Sequence, residues 1–321
     1  MHRRRLIAAA AMLPGLCGHA RAQTAWPSRP VRLVVPFGLG GSADVAARLM
    51  AEPLSAALGQ PVVVENRPGA GAVIGTEAVA KSTPDGHTLL VMSNTHTANE
   101  TLIPQRPYAL LRDLAPVGAL NIAHHVLAVH PSLGVRTLPE LIAKARAEPG
   151  RLDYASSGPG TPYHIAGEVF RAMAGIQVNH IPFRGSNEAR TALIAGQVPI
   201  MFDAIPTMRE QIGAGRVLGL ATTGPQRSPL LPELPTVAET LPGYEASIWL
   251  GIMAPAATPT PVLERLNAEL NRLLETPAAR DAMVRGGALP MPMTLAAFAA
   301  FLRADIERQR EWIRMAGITA G

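Results

Sequence analysis

The chain predicts an α/β fold of two lobes with a ligand cleft between them. Strand-like and helix-like apolar patterns alternate along its length, the signature of largely parallel sheets flanked by helices. A strand, a glycine-rich turn and a helix follow one another near residue 40 and again near residue 160. About 300 residues remain after an N-terminal leader, more than one core of ordinary size accommodates.

Residues 1–22 read as that leader. Met1-His2-Arg3-Arg4-Arg5 is basic, Leu6 to Leu16 is apolar but too short to span a bilayer, and Ala20-Arg21-Ala22 has the small-x-small cleavage pattern. The leader predicts export to the periplasm with cleavage near Ala22. Arg3-Arg4-Arg5-Leu6-Ile7 also loosely fits a twin-arginine signal, and Leu16 is too large for lipoprotein processing at Cys17. Four arginines leave with this segment, taking the formal charge from +5 to about +1, which gives no basic footprint for nucleic acid. Cys17, the only cysteine, leaves as well, so the mature chain has no thiol chemistry. Aromatic residues make up 4%, too few for base-stacking platforms.

In the first lobe Val31–Val35, Val62–Glu65 and Thr88–Met92 read as strands, with helices at Val45–Leu58 and Ile74–Lys81. An irregular stretch from Asn94 to Pro116 precedes the apolar run Val126–Val129. Thr137-Leu138-Pro139-Glu140 is a capping box with proline in the first turn, and it starts a helix over Leu138–Ala147. Leu152–Ala155 is a strand, Ser156–Gly160 a turn, and Pro162–Ala174 a helix closed by Gly175. Strand Val178–Ile181, helix Glu188–Ala195 and strands Pro199–Phe202 and Val217–Ala221 follow. The proline-rich run from Gly224 to Pro242 is a surface loop. Ser247–Met253 leads back to the first lobe, and Pro261–Glu275, Ala278–Arg285 and Leu295–Ala316 are terminal helices. With crossovers near 123 and 249, residues 23–123 and 250–321 form one lobe and 124–249 the other.

The segment Pro36-Phe37-Gly38-Leu39-Gly40-Gly41-Ser42-Ala43-Asp44 leaves the first strand and opens a helix. Such a turn aims unpaired amides, reinforced by the helix dipole, at one point, and suits an anion such as a carboxylate or phosphate. The same loop fits G-x-G-x-x-A, with Glu65 ending the next strand, so a nucleotide-dependent oxidoreductase competes. Export argues against that reading, and so does Pro36 at the strand exit. Asp44 has two readings, dipole compensation beside a capping Ser42 or a ligand-side acceptor; Arg48, one turn on, pairs with it in the first.

The second turn, Ser156-Ser157-Gly158-Pro159-Gly160-Thr161, is a matching nest with Thr161 as N-cap and Pro162 at the first helical position. Two nests facing each other hold a carboxylate from both sides. Ser156, Ser157, His164 and Asp203 also supply the residue types of a serine-hydrolase triad. No G-x-S-x-G elbow surrounds either serine, however, and His164 falls in the first helical turn, where it bonds to the loop. No H-E-x-x-H or cysteine cluster suggests a metal, and no cofactor is expected. Further cleft walls are Asn94 and Thr95 beyond the third strand, and Phe183, Arg184 and Asp203 at later strand ends. Arg184 reads equally as a carboxylate clamp or a solvated turn residue.

Several of these segments, in order, resemble the Bug-type (TctC-like) solute receptors of tripartite tricarboxylate transporters. Pro36, Phe37, Gly40, Gly41, Asp44, Ala47 and Arg48 match the family's P-F-x-x-G-G-x-x-D-x-x-A-R loop, and Glu65-Asn66-Arg67-Pro68-Gly69-Ala70-Gly71 its E-N-R-P-G-A-G segment. Ser157-Gly158-Pro159-Gly160-Thr161 with His164, Phe183-Arg184-Gly185, and Ala195-Gly196-Gln197-Val198 with Phe202-Asp203 resemble its later motifs. The resemblance implies a type II-like Venus-flytrap periplasmic binding protein. It implies capture of a small mono-, di- or aromatic carboxylate by hinge closure without catalysis, as a monomer serving membrane transporter components. Backbone amides of Phe37 to Ser42 and the Ser156–Thr161 turn would share the carboxylate. The family often carries Ala-Pro after the phenylalanine, where this chain has Gly38 and Leu39. That change loosens the loop and adds an apolar surface beside the ligand.

Overall fold

The computed structural model describes residues 26–319; the expected leader, its cleavage site and Cys17 lie outside the described residues. The first half of the chain folds as β1 (Val31–Val35), α1 (Ser42–Leu58), β2 (Val62–Asn66), α2 (Val73–Ala80), β3 (Thr88–Ser93), α3 (Asn94–Leu102), α4 (Leu110–Asp113), β4 (Leu114–Val129) and α5 (Leu138–Ala147). Then come β5 (Leu152–Ser156), α6 (Pro162–Ala174), β6 (Val178–Pro182), α7 (Ser186–Ile194), β7 (Ile200–Ala204), α8 (Ile205–Gly213) and β8 (Leu218–Thr222). β9 (Ser247–Pro255), α9 (Thr260–Leu274), α10 (Pro277–Arg285), β10 (Ala288–Pro290) and α11 (Leu295–Ala316) complete it.

The strands run in the order β2-β1-β3-β9-β4-β7-β5-β6, with β8 and β10 also pairing β4. β4 is the spine of the molecule. Its first part pairs antiparallel with β9 and β10, ending at His124 opposite Ser247, and from His125 onward it pairs with β7 and β8. The change of partners divides the fold into two lobes, each with a parallel trio of strands (β2-β1-β3 and β6-β5-β7) at its outer side. β9 belongs to the first sheet from Ser247 onward, so the return comes slightly before the expected residue 250.

The stretch expected to be irregular is ordered. Pro116 and Gly118 look like strand breakers, yet each sits where the β4–β9 register shifts, a place where proline and glycine cost a sheet little. Ser93 caps α3 by accepting the Thr95 amide, while His96 Nδ1 accepts the Ser93 amide. The polar side chains of α3 gave no amphipathic signal because their burial is satisfied by hydrogen bonds. Thr97 Oγ1 donates to Asp305 of α11 at 2.6 Å, Asn94 Nδ2 to the Ser247 carbonyl at 2.8 Å, and His96 Nε2 meets Thr76 Oγ1 at 3.0 Å. α8 and the short β10 also escaped the sequence reading, although Pro206 stands in the first turn of α8, a favoured helix-start position.

One core lies between α5, α6 and the second sheet. It takes in Ala98 and Leu102 of α3 and Ile313, Ala316 and Ile318 at the chain's end. Arg171 Nη2 reaches the Ala316 carbonyl at 3.1 Å. The last turns of α11 therefore pack into the second lobe, although the sequence division assigned them to the first. The capping box at α5 closes one residue early: Thr137 accepts the Glu140 amide, but Glu140 Oε2 accepts from Arg136.

Candidate functional site

Parallel strands followed by helices bring helix N-termini to one edge of each sheet, and here those edges face each other across a cleft of about 710 Å³. The N-cap residues of five helices stand on its wall: Gly41 (α1), Ala72 (α2), Ser93 (α3), Thr161 (α6) and Gly185 (α7). Each contributes amides without intrahelical acceptors and the positive end of a dipole. Among the described residues the only charged side chains on the wall are Arg184 and Glu188, both exposed.

Of the expected site residues, Phe37, Gly38, Leu39, Gly41, Ser42, Thr95, Ser157, Thr161, Phe183 and Arg184 line the cleft. In the first loop the N-cap is Gly41 rather than Ser42. No hydrogen bond among the described residues uses the Ser42 or Ala43 amide. Thr95 is fully buried, and its Oγ1 has no hydrogen-bond partner.

Asp44, Asn94, Ser156, Gly160, His164 and Asp203 stand behind the wall. Asp44 is 3% exposed. It accepts from the Gly40 amide at 2.9 Å, Arg48 Nε at 3.0 Å and Asn66 Nδ2 at 2.9 Å. Burial works against its charge, but the hydrogen bonds from Arg48, Gly40 and Asn66 outweigh it and hold the carboxyl below its ordinary range. These three bonds tie the loop to α1 and β2. Asn94 is turned toward Ser247, as described above.

In the second loop Ser156 Oγ accepts the Gly158 amide at 3.1 Å and lies 2.6 Å from His180 Nε2. Thr161 occupies the N-cap position without capping, since its hydroxyl donates to the Gly158 carbonyl at 2.7 Å. His164 Nδ1 accepts the Gly160 amide at 3.0 Å, and its ring stacks on His180 at 4.0 Å. Burial, aided by the nearby His180 and Arg171 charges, pushes His164 down to about 3 and keeps it a neutral acceptor. Asp203 is buried against Arg190 Nε at 2.7 Å. Burial raises its carboxyl despite that partner. No hydrolase triad assembles from these residues: His164 is committed to Gly160 and Asp203 to Arg190. Glu65, the acidic residue of the dinucleotide reading, is paired with Arg32 and Arg67.

The sequence reading missed three parts of the wall. Gly69, Ala70, Gly71 and Ala72 all have positive φ, at 136°, 47°, 62° and 76°, and this left-handed run lines the cleft ahead of α2. The P-G-A-G string was its signal, but alanines in that region are not foreseeable from propensity. Tyr163 OH lies 3.1 Å from Ser42 Oγ, and Asn187 Nδ2 donates to the Leu39 carbonyl at 3.0 Å. Both bonds join the lobes across the cleft. Tyr163 rests edge-on against buried His125, with ring centroids 4.9 Å apart, where β4 changes partners.

A family model described as the tripartite tricarboxylate transporter family receptor, TctC, matches residues 46–318. The chain belongs to this family. The receptor is 38% identical to Protein BugT of Bordetella pertussis over 306 residues, 94% of each chain. It is 41% identical over 289 residues to a UPF0065 protein from the tcbD-tcbE intergenic region of a Pseudomonas species, covering 89% of this chain and 86% of the relative. Among solved structures, Rpa4515 of R. palustris with adipate superposes with a TM-score of 0.89 at 33% identity, covering 92% of this chain and 99% of that one. MatC of Rhodopseudomonas palustris with bound malate gives 0.84 at 31% identity, covering 90% and 100%. Like them, the receptor has the two-lobed fold of periplasmic binding proteins, and it is a solute-binding protein rather than an enzyme.

Proposed function

We propose that the receptor works in the periplasm as a monomer. There it captures a small organic acid by its carboxylate and presents it to the membrane components of a tripartite tricarboxylate-type transporter. The observation that carries this reading is the convergence of helix N-termini from both lobes on a cleft whose charged lining residues among the described ones, Arg184 and Glu188, are both exposed. Backbone amides and dipoles suit a carboxylate there without the cost of burying a lysine or arginine. The Ser42 and Ala43 amides from one lobe and the α6 N-terminus from the other would share the anion, with waters bridging at little cost in affinity. Thr95 supplies a hydroxyl that has no partner among the described residues. The adipate and malate seen in the related structures are both carboxylates, which supports the same class here.

Closure follows from the strand layout. β4 and the loop into β9 cross between the sheets near His125 and Ser247, and the last turns of α11 cross with them into the second core, so closure would turn about these connections. The test is thermal shift and calorimetry with a panel of mono-, di- and aromatic carboxylic acids, each beside its primary amide. An acid that binds the folded state raises its melting temperature, and its uncharged amide should not. Equal shifts from acid and amide, or none from any acid, would overturn the carboxylate reading.

A further inference from the structure

The cleft wall has two adjoining surfaces that differ in chemistry, since an added Cβ at Gly41 would lie 3.8 Å from Ser186 Oγ and one at Gly158 3.3 Å from the Phe183 carbonyl. One surface gathers amide donors: Ser42 of α1 touches Tyr163 of α6, and Asn99 joins the α2 loop by donating to the Gly71 carbonyl at 2.8 Å. Asn99 also packs beside Gly160, where an added Cβ would lie 3.6 Å from Asn99 Oδ1. The N-termini of α1, α2 and α6 thus meet at one locus. α2 and α6 carry no acidic residue in their first turns and no side-chain cap, so their positive ends are left for a ligand.

The other surface is a lip formed by Leu39, Phe183 and the start of α7. There the receptor's own carboxylate already occupies the helix N-terminus: Glu188 lies in the first turn of α7, and its Oε2 accepts the Arg184 amide at 3.4 Å. Arg184 and Glu188 leave this lip with no net charge. Leu39 is 67% exposed, more than any other large apolar side chain among the described residues. It nevertheless lines the cleft, and its carbonyl is pinned by Asn187. Phe37, Ala70 and Ile248 extend the apolar wall.

Resting on the carboxylate reading, we infer that the preferred ligand is an acid charged at one end only, with an apolar body the size of an aromatic ring, and that Leu39 determines this preference. The carboxylate sits at the amide surface and the body covers Leu39 and Phe183. A second carboxylate reaching the lip meets Glu188 as well as Arg184, so it gains no net charge attraction there, and it leaves Leu39 in contact with a charged group.

Calorimetry with benzoate, phenylacetate, glutarate and adipate tests this on wild type, Leu39→Ser, Leu39→Met and Glu188→Gln. The aromatic acids should bind more tightly than the diacids to wild type. Leu39→Ser should weaken the aromatic acids about tenfold, the scale of losing one apolar side-chain contact; Leu39→Met should restore them, and the diacids should change little. Glu188→Gln should strengthen the diacids alone. Because Leu39 is exposed in the free receptor, the variants should keep the wild-type melting temperature. Diacids that bind more tightly than aromatic acids, with a ratio that Leu39→Ser leaves unchanged, would overturn this inference while leaving the carboxylate reading standing. Failure of all four acids and of the wider panel would remove both.

Discussion

Replacing Ser42 by proline tests whether backbone amides hold the ligand. Proline at the first helical position fixes a φ that the helix already uses and removes an amide that has no intrahelical acceptor. The preceding residue, Gly41, is extended at φ −76° and ψ 166°, the region a residue before proline prefers. The substitution should therefore preserve the fold while deleting one N–H from the cleft. It also deletes the hydroxyl that meets Tyr163, so Ser42→Ala is the proper reference. A hydrogen bond to a charged group contributes about 1.5–3 kcal/mol, which is a loss of about 10- to 150-fold in affinity. A bridging water would place the effect at the lower end. Calorimetry with the best acid from the panel reads the affinity, and circular-dichroism melting confirms the fold. If folded Ser42→Pro binds as tightly as Ser42→Ala, the α1 amides do not recognise the ligand and the reasoning fails.

Two further outcomes concern the groups behind the wall. Asp44→Asn should cost about 1–3 kcal/mol in urea unfolding at neutral pH, because three donors lose their anionic acceptor, and it should weaken binding through a looser loop. The Asp44 carboxyl is held below its ordinary value. Its contribution is therefore complete above about pH 4 and fades as pH falls through the folded value, so the gap between wild type and variant should close in acid. An unchanged gap would deny Asp44 this role. Burial pushes His96 down to about 4, and both His125 and His164 to about 3. These histidines stay neutral when folded while the unfolded chain takes up protons below about pH 6.5. Stability should fall as pH drops from there toward 4, by up to about 1.4 kcal/mol per pH unit for each histidine. His125→Phe, which removes two ring nitrogens without partners, should flatten the urea-unfolding profile between pH 7 and 5; an equally steep profile would show that His125 does not titrate this way.

The elements that were legible had their information in local pattern. β1, α5, α6 and α11 lie where the apolar spacing, the cap at Thr137 and the closing glycine at 175 place them. α3 was illegible because its burial depends on partners far along the chain, Asp305 and Ser247 among them. β4 was obscured because Pro116 and Gly118 are tolerated only through the register shifts against β9. At the site, the glycine loops announced the two amide nests. The first-turn positions of His164 and Asp44 pointed to bonds with the loop and with Arg48, but nothing local announced that Ser156 would spend its hydroxyl on its own loop. Nor did it show that Tyr163 and Asn187 would bridge the lobes.

The sequence by itself determined that there are two strand–glycine turn–helix units and that each ends in unpaired amides, since both follow from bonds within a few residues. It also carried the run of family motifs and the Gly38-Leu39 departure. Only the tertiary structure decided that the helix N-termini converge from opposite lobes. It also decided that Glu188 occupies one of them and that Leu39 stands exposed on the cleft wall. Those depend on how β4 passes from one sheet to the other, a pairing between distant strands that no local pattern encodes.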